Sequence, residues 1–340
     1  MHYGIGMYGG SFDPIHNGHV SVIMRAASSC DKLYLVLSYS RERDHIPMEY
    51  RYRWLLHLTR FIGNVQIILL EDHAESKEAY DNDNDWVKGA EYVKKKVGAP
   101  IDVVFCGSDY RDSKCYENLY PESRVIYFDR DEISVSSTQI REDPFKYWDY
   151  IPRLVQPYFV KKILLVGGES TGKSTLCQML ATLYNTNMVA EEGREICDLA
   201  GTEDTMLAED LHKCFLYQKT AEMKAVEHSN KLLFVDTDAL ITQFFCSFLE
   251  LPEDKLLICE KLGQSISAIH DFDLVLFLEP TVAFVQDGTR NEKLLQDRIG
   301  YSNQIKKLFD QAKIPYVELS GDYEDRLLHA RKLIKKRFGL

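Results

Sequence analysis

The sequence predicts an α/β protein built from two doubly wound parallel sheets, each the centre of its own domain. Short, almost wholly apolar runs alternate with helical patterns in both halves of the chain. That is the pattern of βαβ units whose strands are covered on both faces. A glycine-rich segment follows such a run twice, at Gly10–His19 and again at Gly167–Ser174. The 340 residues are too many for one comfortable core and suit two domains.

The first-half strands read near Tyr3–Tyr8, Leu33–Leu37, Val65–Leu69, Val103–Phe105 and Val125–Phe128, with helical stretches at Val20–Ser28, Tyr50–Phe61 and Trp86–Val97. In the second half Ile163–Val166, Asn187–Ala190, Leu232–Val235 and Leu274–Leu278 read as strands. The join falls within Asp143–Tyr158, where three prolines and several large aromatics suggest a packed helical connector. The expected domains are residues 1–158 and 159–340. Tyr323–Phe338 reads as a basic amphipathic helix, a docking element with a solvated outer face.

Composition narrows the function. With 45% hydrophobic and 27% charged residues the chain is an ordinary globular protein. A net charge of −11 argues against broad binding to a nucleic-acid backbone, but not against local capture of phosphate by N–H groups and a few cations. None of the eight cysteines forms a C-x-x-C pair, so a structural zinc site is not expected and the thiols read as buried or idle in a reducing compartment. No signal peptide or membrane-length apolar run is seen, and a cytoplasmic protein without a membrane partner is expected. Asp81–Asp85 falls short of a calcium loop, because Trp86 and Tyr92 stand where glycine and glutamate are required.

In the first half, an apolar run ends at Tyr8 and passes through Gly9 and Gly10 into Ser11, Phe12 and Asp13. The glycines let the backbone turn tightly beside a ligand. A helix begins near Gly18, and its free N–H groups and dipole favour an anion. His16 and His19 share a side of its first turn, with Gly18 keeping the space between them clear. Paired histidines at this spacing also serve as zinc ligands or simple packing. Here the glycines and the lack of an obvious third ligand point to phosphate. Farther on, Ser137, Thr138 and Arg141 lie at another helix start, where hydroxyls and a guanidinium grip the same anion or merely cap the helix. Gly107 and Asp109 follow a predicted strand, at the end where ligands bind in such sheets. Trp86 is read as a ring for stacking or as a helix core residue.

These two segments together resemble the nucleotidyltransferase superfamily with its H-x-G-H and S-S-T-x-I-R patterns. The first half is similar to nicotinamide mononucleotide adenylyltransferase. The resemblance implies a Rossmann-like domain in which His16, Gly18 and His19 hold ATP phosphates and Ser137, Thr138 and Arg141 close the other side. Phosphopantetheine adenylyltransferases share the fold but usually carry threonine where this chain has His16.

The segment Gly167-Gly168-Glu169-Ser170-Thr171-Gly172-Lys173-Ser174, followed by Thr175, satisfies G-x-x-x-x-G-K-S between a strand and a helix. In such a P-loop the N–H groups wrap phosphates, Lys173 neutralises β- and γ-oxygens and Ser174 binds Mg²⁺. Asp236 and Asp238 end another apolar run; one carboxylate is expected to touch the metal and the other to take a proton, with a plain helix cap the alternative for Asp238. Arg290, in a polar stretch after Leu274–Leu278, and Arg298 on the next helix are read as lid cations or as surface ion pairs. Glu192 and Arg194 are read as substrate contacts in a charged turn, and Phe284 as a stacking ring or core residue.

This second set resembles ribosylnicotinamide kinase, and nearly the entire chain resembles the NadR family, which joins both activities. The resemblance implies two reactions in series. Nicotinamide riboside would be phosphorylated with Mg²⁺-ATP, and the resulting nicotinamide mononucleotide adenylylated with ATP to NAD and pyrophosphate. Some members begin with a DNA-binding helix-turn-helix; with the first motif at Gly10, such a segment is not expected here. A homo-oligomer is compatible with the sequence. Two other readings stay open: a fused coenzyme A pair (phosphopantetheine adenylyltransferase with dephospho-coenzyme A kinase), and a nucleotide-sensing regulator with a weakly active first domain.

Overall fold

The computed structural model describes residues 1–73, 83–129, 133–201, 205–249, 252–269, 271–286 and 292–340. The chain divides into two compact units, Met1–Tyr158 and Phe159–Leu340. Each is a five-stranded sheet with helices around it, so the expected α/β class holds in both.

In the first unit the strands are β1 (Tyr3–Gly10), β2 (Cys30–Tyr39), β3 (Val65–Glu71), β4 (Val103–Gly107) and β5 (Arg124–Phe128). They lie in the order β3-β2-β1-β4-β5, every pair parallel. Leu33, Leu35 and Leu37 are 0% exposed, and Tyr34 and Val36 only 4%. Both faces of β2 are therefore covered, which is why its sequence is continuously apolar rather than alternating. The strand order reverses between β1 and β4, and the crevice at their carboxyl ends is where such sheets take ligands. The segment before the second unit is packed, as Trp148, Ile151 and Val155 are buried. It forms short 3₁₀ turns at Trp148–Tyr150 and Gln156–Phe159 rather than an α-helix. Pro144, Pro152 and Pro157 interrupt any longer helix.

In the second unit the strands are β6 (Lys161–Val166), β7 (Met188–Val189), β8 (Leu232–Asp236), β9 (Leu274–Leu278) and β10 (Val317–Leu319). Their order is β10-β9-β6-β8-β7, again all parallel. Ile163, Leu164, Leu165 and Val166 are fully buried at its centre. The helix Tyr323–Phe338 docks on the second unit by one face and leaves its outer face exposed. Arg326, Ala330 and Ile334 form its buried stripe, and Ala330 and Ile334 join the apolar cluster of Leu180 and Leu319. A second cluster, including Leu211, Phe215, Cys246 and Cys259, lies among the helices Ala208–Val226, Ala239–Phe248 and Glu253–Ser267. Among the described residues no helix is long and apolar enough to cross a membrane. The eight cysteines are free thiols, all buried except Cys115, which is half-buried.

Two candidate nucleotide sites

The first site is built where β1 runs into the helix Asn17–Ser28. His16 caps that helix in an extended conformation, and its backbone N–H donates to His19 Nδ1 at 3.3 Å. The two imidazole centroids lie 3.8 Å apart, and Phe12 meets His19 edge-on at 5.1 Å. A Cβ on Gly18 would lie 3.0 Å from the His16 ring, so a larger residue there would push that ring aside. The loop between strand and helix is held from two sides. Ser137 Oγ donates to the Pro14 carbonyl at 2.8 Å, Arg141 donates to the Asp13 carbonyl, and Arg141 also reaches Thr138 Oγ1 at 3.2 Å. Asp13 accepts from the Ile46 N–H at 3.0 Å. From the other side Arg51, 0% exposed, donates to the Ser11 carbonyl at 2.7 Å and to the Asp44 carboxylate.

One cleft takes in most of the first predicted set: Gly9, Gly10, Ser11, His16, Gly18, His19, Gly107, Ser137, Thr138 and Arg141. Phe12 is fully buried beneath it, and Asp109 is exposed and outside its lining. Trp86 lines the cleft and is half-buried, with its ring edge-on to Tyr110 and Tyr116 at 6.0 and 5.9 Å. It thus holds a wall of the core as well as facing the cleft.

The second site surrounds the loop between β6 and the helix Lys173–Leu183. Gly167 has φ +147°, and a Cβ there would lie 2.5 Å from the Leu278 carbonyl oxygen. Gly172 has φ +84°, and its Cβ would lie 2.9 Å from the Tyr323 ring. Both positions are therefore closed to other residues. Lys173 Nζ bonds the Gly167 and Gly168 carbonyls at 3.2 and 3.1 Å, and Thr171 Oγ1 bonds the Gly168 carbonyl at 2.9 Å. Two arginines hold the loop from outside. Arg298 donates to the Ser170 carbonyl at 3.2 Å. Arg326, 1% exposed, donates to the Thr171 carbonyl and, at 2.7 Å, to the Glu279 carbonyl.

Ser174 Oγ donates to Asp236 Oδ2 at 2.5 Å. A hydroxyl and a carboxylate oxygen are the hard donors that magnesium prefers, and phosphates and waters ordinarily complete its shell, so this pair fits the ion. Asp238 is differently engaged. Its Oδ1 accepts from the Leu240 and Ile241 N–H groups at 3.2 and 3.4 Å, capping the helix Ala239–Phe248, and it does not line the cleft. Burial pushes its carboxyl up to about 7, against the pull of those two N–H groups.

The cleft beside the loop is lined by polar residues including Glu169, Glu191, Arg194, Thr237 and Arg298, and by apolar or aromatic ones including Ile241, Phe244, Phe245, Tyr301 and Ile305. Glu191, not Glu192, faces it. Burial holds the Glu191 carboxyl above its ordinary range; the Lys173 ammonium opposes this and the Asp236 charge adds to it. Glu192 instead offers its backbone N–H to Gln218 Oε1 at 3.0 Å. Phe284 lies outside the lining, half-buried beneath the Arg298 guanidinium at 5.6 Å. Thr175 is an exposed position on the helix after Lys173. Arg290 lies outside the described residues. Sequence reasoning missed Arg51, Glu191 as distinct from its neighbours, Gln218 and Arg326. Only Glu191 carried a local signal, as part of the charged turn after β7.

Comparison with known proteins follows this division. Residues 7–143 match the family described as cytidylyltransferase-like, and residues 162–326 match the family described as AAA domain. The chain is similar to the trifunctional NAD biosynthesis/regulator protein NadR of Escherichia coli (strain K12), 32% identical over 350 residues that span 98% of this chain and 83% of that protein. In fold it is similar to a crystal structure of NadR protein in complex with NR, with TM-score 0.84 and 24% identity, covering 100% of this chain and 98% of the other. A crystal structure of NadR protein in complex with NAD and AMP-PNP aligns with TM-score 0.82, at the same identity and coverage.

Proposed function

The chain belongs to the NadR family, and from that premise we propose that it makes NAD in two steps, one in each unit. The second unit phosphorylates nicotinamide riboside with ATP. The first joins the resulting nicotinamide mononucleotide to the adenylyl group of ATP. The observation that carries this reading is the pair of separate phosphate cradles, His16-Gly18-His19 with Arg141 in one unit and Gly167–Ser174 in the other. The fused coenzyme A reading loses support, because relatives that span 98% of the chain are named as NAD biosynthesis proteins.

In the second unit the riboside 5′-hydroxyl oxygen attacks the γ-phosphorus of ATP, and ADP leaves. Lys173 and the loop N–H groups take up charge on the transferred group. Magnesium at Ser174 and Asp236 would neutralise phosphate oxygens there. Glu191 accepts the hydroxyl proton in this reading, since it faces the cleft while Asp238 caps a helix. The apolar wall with Phe244 and Tyr301 suits a pyridine ring. In the first unit a phosphate oxygen of the mononucleotide attacks the α-phosphorus of ATP, and pyrophosphate leaves. His16, His19 and Arg141 bind the departing charge, and catalysis is positioning and electrostatics with no protein nucleophile.

The test is to supply riboside, ATP and magnesium and to follow products by chromatography. Mononucleotide and then NAD are expected. Lys173→Ala should abolish the first product from riboside, yet still convert added mononucleotide to NAD. His19→Ala should accumulate mononucleotide. Wild-type protein that yields neither product, or that adenylylates phosphopantetheine instead, contradicts the assignment.

A further inference from the structure

We propose that Gln218 is a positioning residue for phosphoryl transfer, fixing the metal-side strand end against the turn that carries Glu191; this rests on the reading of the second unit as a riboside kinase. Gln218 sits mid-way along the helix Ala208–Val226, lines the cleft and is only 7% exposed. A buried amide is costly unless satisfied, and this one is bonded at both ends. Its Nε2 donates to the Asp236 and Thr237 carbonyls at 3.0 and 3.2 Å, and its Oε1 accepts from the Glu192 N–H at 3.0 Å.

These backbone groups lie just past the point where the sheet stops joining their strands. The β7–β8 ladder ends at the pair Val189–Val235. Beyond it the chain turns into Glu191 on one side and into Asp236 and Thr237 on the other. Gln218 bridges that gap in place of the ladder. Thr237 adds a reason for a bridge: it has φ +74°, a strained left-handed conformation for a β-branched residue. Its N–H is held by the Leu165 carbonyl at 3.0 Å and its carbonyl by Gln218. Gln218 therefore fixes Asp236, bonded to Ser174, relative to the turn that carries Glu191. It touches none of the P-loop carbonyls, which Lys173, Arg298 and Arg326 hold separately.

Gln218→Met keeps the volume and loses all three bonds. Gln218→Glu keeps an acceptor for Glu192 but sets a carboxylate oxygen against two carbonyls. Misplacement of reacting groups by about 1 Å costs up to about a hundredfold in rate, so both variants should lower kcat for riboside phosphorylation at least about tenfold. The KM for ATP should stay within about twofold. A Met variant with kcat within about twofold of wild type, or one whose ATP KM rises while kcat is kept, overturns the proposal. If the variants do not fold, amide exchange of the wild-type protein decides. A Glu192 N–H protected like the strand amides supports the bridge, and one exchanging like an exposed amide removes it. If wild-type protein fails to phosphorylate the riboside, the substrate reading falls on its own, and Gln218 stands or falls on that same exchange measurement.

Discussion

Gly18 and Asp238 show how the surroundings of a single residue are set in each unit. Gly18 leaves room for the His16 ring, and a methyl there would sit at 3.0 Å from it. Gly18→Ala should therefore slow adenylyl transfer by about tenfold or more through displacement of that ring, while phosphoryl transfer is unchanged in the same assay tube. Asp238 makes a pH prediction. Burial raises its carboxyl from an ordinary 3.8 to about 7. Between these values the folded protein holds a proton that the unfolded chain has released. The group's stabilisation is thus present below the unfolded value and is lost as pH rises toward the folded one. Asp238→Asn keeps an oxygen for the helix cap and does not ionise. Raising the pH from about 5 to about 8 should lower the thermal midpoint of wild-type protein relative to this variant; parallel pH profiles would refute that environment for Asp238. At this scale the motif residues were legible because chemistry fixes their spacing: Lys173 follows Gly172, and His16 and His19 flank Gly18. Arg51 and Arg326 were not, because they bond backbone carbonyls 40 and 155 residues away and leave no local pattern.

At the scale of elements, the strands were legible wherever burial on both faces leaves an unbroken apolar run, as in β2 and β6. The edge strand β10 has Glu318 between Val317 and Leu319, so it offers no unbroken apolar run. The last helix shows a different limit. It docks with a solvated outer face, as its amphipathic pattern suggests, but its buried stripe also includes Arg326, which supports the P-loop. An arginine at an inward position reads as polar from sequence alone, although its guanidinium bonds the Thr171 and Glu279 carbonyls and Thr281 Oγ1. Arg326→Ala leaves buried carbonyls without those donors, which costs roughly 1–3 kcal/mol each when no water replaces them. Its second unit should melt earlier than wild type, and its KM for ATP in the kinase reaction should rise. A variant with unchanged melting and unchanged KM would show that the helix is not a support for the loop. Of the two predicted lid cations, Arg298 is tied to the loop at the Ser170 carbonyl, and Arg290 lies outside the described residues.

For the molecule as a whole, the decisive feature is a pair of candidate phosphate cradles built from different chemical groups. One sheet presents imidazoles and a guanidinium at a helix start, suited to a departing pyrophosphate. The other presents a lysine, a serine hydroxyl and a carboxylate, suited to metal-assisted transfer of a terminal phosphoryl group. The glycine segments, half a chain apart, make this division readable in the sequence. What remained hidden was the bracing of each cradle by residues from distant elements. The most direct measurement is calorimetric titration of the intact chain with a non-hydrolysable ATP analogue in the presence of magnesium. Two bound equivalents are predicted for wild type, with one lost in Lys173→Ala and the other lost in His19→Ala. A single equivalent in wild type, abolished by one substitution and untouched by the other, would contradict two working cradles on this chain.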